Sequence, residues 1–243
     1  MRQASSPPAR SDKNRSRVPT QRRSIKMSDG QLRAAVKSAA ATLVRDRTRL
    51  KPLVLTGLMG VGKTAVGRRL AQVMKVKFVD SDEAIEKAAG LSISEIFEKY
   101  GEAHFRDRER AVIARLIEDQ AGVIAIGGGA FVDDETRNLI LKKAVAIWLK
   151  APIPLLVERT SRRNTRPLLT KGDPKQILTD LLEKRTPAYS QAPIRTNSGL
   201  GRLDRTILSL LRRLHTHFYG KKKPKGKHTK NLTPRAKPKH GSS

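Results

Sequence analysis

Residues 53–64 read LVLTGLMGVGKT, and no other stretch restricts the fold of this chain as tightly. An apolar, strand-like run stops at Gly57, glycines recur at 60 and 62, and Lys63 and Thr64 open a helical pattern. The stretch fits G-x-x-x-x-G-K-[ST], with a strand before it and a helix after it. The glycines let backbone N–H groups curl around phosphate oxygens, and the helix N-terminus adds its partial positive charge. Lys63 is suited to reach the β- and γ-phosphates, and the Thr64 hydroxyl is a natural Mg²⁺ ligand. The plain alternative is a glycine-rich turn with an incidental Lys-Thr pair. The flanking pattern favours a nucleoside triphosphate site.

The surrounding pattern alternates strand with helix. Leu32, Ala35, Val36, Ala39, Leu43 and Val44 fall at helical spacing over 31–44. Strands are expected at 53–56, 76–80, 123–126 and 144–149, with a short fifth at 192–196. Helices are expected from Gly62 to Met74, in pieces over 82–119, from Pro152 to Thr160, over 174–186 and from Leu203 to Leu214. Such alternation implies parallel βαβ units and an α/β sheet covered on both faces. The expected division is a basic disordered extension (1–30), a helical lead-in (31–50), one folded domain (51–218) and a basic disordered tail (219–243).

Charge supports that division. The chain carries +29, yet residues 1–51 and 212–243 together carry +22 of it. The ends are poor in apolar residues and cannot bury enough surface to offset their ordering entropy. The first 26 residues are Arg- and Ser-rich and acid-poor, as transit peptides are, but they lack an amphipathic apolar face. Met27 opens a segment that would serve equally well as a start. There is no cysteine, which excludes disulfides and thiolate metal sites. No run reaches the roughly 18 apolar residues of a membrane span. A soluble, cytoplasmic protein without a membrane partner is expected.

Further motifs flank the phosphate site. FVDSDEAIE places Asp80 and Asp82 at the carboxyl end of the second strand, where open α/β sheets hold ligands. One carboxylate could serve Mg²⁺ and the other an acceptor hydroxyl. Equally, Ser81 or Asp82 could cap the helix that follows. EAHFRDRE carries Arg106; GGGA carries Gly127, Gly128 and Gly129 at a strand exit; Arg159, NTRPLL with Arg166, and EKRTPAYSQ with Arg185 follow. Successive glycines allow a ligand to approach the backbone. A cationic loop after the fourth strand is what a phosphoryl-transfer lid needs. Taken singly, each arginine also fits a solvated surface.

In this order, GLMGVGKT, FVDSDEAIE, IFEKYGEAHFRDRE, IGGGA, RNTRPLL and KRTPAY resemble the shikimate kinase family over about residues 53–214. The resemblance implies a P-loop three-layer sandwich with a five-stranded parallel sheet, a lid and an acceptor-binding subdomain. It implies transfer of the γ-phosphoryl of ATP to the 3-hydroxyl of shikimate, with Mg²⁺, on the way to chorismate and the aromatic amino acids. On it, Gly60, Val61, Gly62, Lys63, Thr64 and Ala65 hold the phosphates. Thr64, and Asp80 through water, serve Mg²⁺. Asp82 is the base on the acceptor hydroxyls, and Arg106 and Arg185 grip the shikimate carboxylate. Gly127–Gly129 line the acceptor site, Arg166 is the lid arginine near the phosphates, and Arg159 packs on adenine. Lys63, Asp82 and Arg166 carry the catalysis. IRTNSGLGR matches the family only loosely, so no adenine contact beyond Arg159 is assigned, and His104 receives no role.

Two rivals differ in acceptor or class. A gluconate kinase of the same fold would also need carboxylate anchors, although GGGA and NTRPLL favour shikimate. A nucleic-acid-binding P-loop protein would explain the charged ends, which would bind polyanions weakly and lose them steeply with salt. Only 4% of residues are aromatic, and none interleave with the basic residues of the tails so as to stack on bases. Weak polyanion binding by the tails of a monomeric kinase is the expectation.

Overall fold

The computed structural model describes residues 27–45, 51–120, 122–161, 172–199 and 201–220. The terminal tails and the cationic loop with Arg166 lie outside these described residues. In chain order the strands are β1 (Leu53–Thr56), β2 (Phe78–Asp80), β3 (Val123–Ala125), β4 (Val145–Lys150) and β5 (Ile194–Asn197). They form one five-stranded sheet in the order β2-β3-β1-β4-β5. Every pairing is parallel, with Leu53 opposite both Val123 and Val145. All residues of β1 and β3 are buried, as a sheet covered on both faces requires.

The helices are α1 (Asp29–Arg45), α2 (Lys63–Met74), α3 (Ser81–Ala89), α4 (Ile93–Glu118), α5 (Asp134–Lys143), α6 (Ile153–Ser161), α7 (Pro174–Tyr189) and α8 (Leu203–Tyr219). The expected elements are present, displaced by a few residues at their ends. The helix expected to stop at Leu214 continues to Tyr219, and the one expected to stop at 186 reaches Tyr189. Helix α1 starts at Asp29, inside the segment 1–30 expected to be disordered, because Leu32 already buries itself in the core.

The pieces expected over 82–119 are two helices. Gly90, in the left-handed region, ends α3, and Ser92 with Glu95 forms a capping box that starts α4. Gly101 breaks the α4 helix with φ 78° and ψ 174°. Ile85, Ile96 and Phe105 form an apolar cluster separate from the main core, so α3 and the first part of α4 make a small subdomain, while Ile113 and Ile117 tie the rest of α4 into the main core.

Helix α1 packs against α8 and α2. Its Leu32, Val36, Ala40 and Leu43 join Ile207, Leu210, Leu211 and Leu214 of α8 in the core. Gly67 of α2 sits against β2, where a Cβ would stand 2.3 Å from the Phe78 ring. That close approach seats the helix that leaves the phosphate loop.

Candidate active site

The loop between β1 and α2 is shaped by glycine. Gly57 has φ 138° and Gly62 φ 90°, conformations open to glycine and costly for other residues. Gly62 is the N-cap of α2, so the free N–H groups of the first turn face the loop's concavity. The Lys63 ammonium donates to the carbonyls of Gly57 at 2.9 Å and Leu58 at 3.3 Å, which hold it over the loop. Val61 is buried and is not among the residues lining the cavity, so its side chain belongs to the core.

The Thr64 hydroxyl donates to Asp80 Oδ2 at 2.9 Å, joining the first turn of α2 to the end of β2. The other Asp80 oxygen accepts from the Asp82 backbone N–H at 3.2 Å. The cap of α3 is therefore Asp80, and neither Ser81 nor Asp82 fills that place. Its carboxylate spans two tasks, ending a strand and starting a helix.

A hydroxyl and a carboxylate sharing one spot suit a hard cation such as Mg²⁺. Among the described residues no group of three or more His, Cys, Asp or Glu could hold a metal ion. A cation at Thr64 and Asp80 would complete its shell with water and phosphate oxygens, which is the habit of Mg²⁺.

The three glycines after β3 face three sets of charged side chains. A Cβ on Gly127 would lie 2.7 Å from Glu109 Oε1 and 3.1 Å from Asp82 Oδ1. On Gly128 it would lie 2.9 Å from an Arg185 nitrogen, and on Gly129 2.7–3.0 Å from the Arg106 guanidinium. Asp82, Arg106 and Arg185 thus converge on one tripeptide. Tyr189 secures it by donating to the Gly128 carbonyl at 2.6 Å, and Arg185 lies beside the same glycine.

Glu109 is the residue that sequence reasoning missed. It closes EAHFRDRE one helical turn after Arg106, and that i,i+3 spacing was the available signal. Its Oε2 accepts from Arg106 at 2.6 Å, while among the described residues Oε1 has no partner. Burial holds this carboxyl above the ordinary range against the pull of Arg106, and Asp82 and Asp133 add to the rise. For Arg106, burial works against the charge, but Glu109 and Glu102 outweigh it and keep the guanidinium protonated.

Arg159 bridges the phosphate loop and the segment after β5, donating to the carbonyls of Gly60 and Gly199, each at 3.4 Å. Ser198, Gly199 and Gly201, to which no role was assigned from sequence, line the same cavity. That cavity, about 830 Å³, runs from the phosphate loop to Arg106 and Arg185. His104 stands apart, tilted against Tyr100 at 4.9 Å.

One cavity thus joins a phosphate loop to a carboxylate flanked by two guanidinium groups. The family model for shikimate kinase matches residues 59–214, which contain all of these groups except Gly57 and Leu58 of the loop. The chain belongs to the shikimate kinase family. It is 55% identical over 151 residues to the shikimate kinase of Caulobacter vibrioides, covering 62% of this chain and 76% of that one. It is 54% identical over 153 residues to that of Novosphingobium aromaticivorans, covering 61% and 79%. Among solved structures, the shikimate kinase from Acinetobacter baumannii in complex with shikimate superposes with a TM-score of 0.67 at 35% identity. That match spans 73% of this chain and 98% of the other.

Proposed function

We propose that this chain transfers the γ-phosphoryl group of ATP to the 3-hydroxyl of shikimate, giving shikimate 3-phosphate and ADP. The observation that carries the proposal is the Gly127–Gly129 tripeptide, against which Asp82, Arg106 and Arg185 pack at one end of the phosphate-loop cavity. A small acceptor with one carboxylate and several hydroxyls asks for that set. Arg106 and Arg185 take its carboxylate, for which the guanidinium fork is well matched. Asp82 orients the 3-hydroxyl and accepts its proton as the oxygen attacks the γ-phosphorus and the bond to the ADP oxygen breaks. The phosphates rest on the N–H groups of residues 60–65 and on Lys63, whose charge offsets what develops on the leaving group.

Mg²⁺, held by Thr64 and through water by Asp80, supplies charge neutralisation to the phosphate oxygens when bound. Arg159 packs on adenine. Arg166, outside the described residues, takes the lid position next to the phosphates on the strength of its motif alone. Positioning and charge account for most of the catalysis, since phosphoryl transfer needs little covalent help.

The chain acts as a monomer in the cytoplasm, a reading supported by a site built from one chain and by its use of ATP. Among the described residues no helix is long and apolar enough to cross a membrane. The basic tails bind polyanions weakly and without sequence choice.

The deciding experiment follows ADP release with ATP and Mg²⁺ in the presence of shikimate, gluconate or no acceptor. Turnover confined to shikimate is expected. Equal turnover with gluconate would mean that the site reads only a carboxylated polyol, and turnover without acceptor would remove the kinase reading.

A further inference from the structure

A second cavity, about 740 Å³, lies on the other side of α8, between that helix, the start of α1 and strand β5. No residue lines both it and the active-site cavity. Arg205, Arg212 and Arg213 fall on one face of α8 with Ser209 and Thr216, and Arg195 reaches the groove from β5. No Asp or Glu lines it. The one acidic residue of α8, Asp204, is already paired with Arg69 at 2.8 Å, and the acid at the start of α1, Asp29, is paired with Arg202. The side chains of Arg205, Arg212 and Arg213 have no ion pair among the described residues and are exposed.

The occupant has to be a polyanion from outside the chain. Residues 1–26 hold eight Lys or Arg against one acid, and residues 221–243 hold nine against none, so both ends are repelled by the groove. A second copy of the same face would be repelled too. The large exposed hydrophobic residues among those described are Tyr100 and Leu203, and neither lines the groove, so nothing there would insert into a lipid surface. A concave track suits a strand more than a plane. β5 is the edge strand of the sheet, and α8 leads directly into the basic segment 221–243.

We propose that the α1–β5–α8 groove is a docking site for the phosphate backbone of a nucleic acid. The site stands independently of the kinase activity.

The test is fluorescence anisotropy of a labelled 20-nucleotide oligo(U) RNA and a labelled 20-base-pair DNA duplex, titrated with the full chain at several salt concentrations. Binding with a Kd on the order of 10 µM or tighter at low salt is expected. The variant R205E/R212E/R213E should weaken it at least tenfold. The slope of log K against log salt should become shallower by about 2, because every phosphate that the protein neutralises contributes ~0.7–0.9 to it. A charge-matched variant on α3 and α4, K87E/K99E/R115E, should stay within about threefold of the parent, since beyond a Debye length its charges are screened. Shikimate-dependent ADP release should be unchanged in both.

Equal losses in the two variants would show that net charge and the tails act alone, and would overturn the groove. No binding by the parent chain would overturn the groove and the tail reading together. Groove-dependent binding to phosphatidylserine vesicles in place of both nucleic acids would overturn the choice of partner. Preference for the RNA or the duplex identifies the source of the backbone and supports the site. Should the charge-reversed chain fail to fold, R205Q/R212Q/R213Q carries the same test, with a slope shallower by about 2.

Discussion

Gly129 stands where any side chain would enter the Arg106 guanidinium, 2.7 Å from one of its nitrogens. Gly129→Ala has to push Arg106 off the tripeptide, and with it the 2.6 Å bond to Glu109. A charge-assisted bond is worth about 1.5–3 kcal/mol. The KM for shikimate should therefore rise at least about tenfold while the KM for ATP holds, which steady-state kinetics with each substrate varied would check. Asp82→Asn should leave ATP binding intact and lower kcat by about 10²-fold or more, the usual contribution of a general base. A near-normal kcat would remove Asp82 from that role.

Glu109 carries a pH signature. Its folded pKa is raised above the ordinary carboxyl value of 4.5, so the native state holds this proton at pH values where the unfolded chain has released it. Its contribution is therefore fully present below 4.5 and is lost as pH rises through the folded value. Glu109→Gln removes this titration, so the difference in unfolding free energy between parent and variant should change across that window and be flat below it. Urea unfolding at a series of pH values reads it directly. A difference constant across the whole range would mean that Glu109 titrates as an ordinary carboxyl.

At the scale of elements, α1 lies outside the span 59–214 shared with the family model. It packs on α8 and α2, and both of those helices begin at the active-site cavity. Leu43 is fully buried in that contact. Leu43→Ala should lower stability by about 2–5 kcal/mol, the usual range for a core leucine that leaves a cavity. Denaturant titration gives the number, and kcat under native conditions should stay close to the parent value. The α3–α4 segment has its own apolar cluster and is joined to the sheet through the cap at Asp80 and to the main core through Ile113 and Ile117, so Arg106 is held from both sides.

For the whole molecule, charge and catalysis are largely separate along the sequence. The family motifs fall within residues 53–214, and the excess charge lies at the ends and on the outer face of α8. A chain shortened to 27–220 should keep kcat/KM for both substrates, since it retains every site residue and both ends of α8. Loss of activity would mean that a terminal segment contributes to the site. The same shortened chain should bind oligo(U) RNA more weakly and with a shallower salt dependence than the full chain.

The phosphate loop, the alternation of strand and helix and the basic ends were legible in the sequence because each is a local property. A few consecutive residues decide where glycine frees the backbone, which residues alternate toward a core, and where charge accumulates. The tertiary structure decided what those elements meet. Asp82, Arg106, Gly127–Gly129 and Arg185 lie on four separate segments, and only the strand order β2-β3-β1-β4-β5 with the packing of α4 and α7 brings them together. Glu109 reads as one more surface acid on a charged helix. It becomes a buried partner of Arg106 when the tripeptide closes over it, because desolvation depends on neighbours distant in the chain. Three arginines on α8 could equally have been paired and scattered; their gathering in one groove without an acid follows from where α1 and β5 flank that helix.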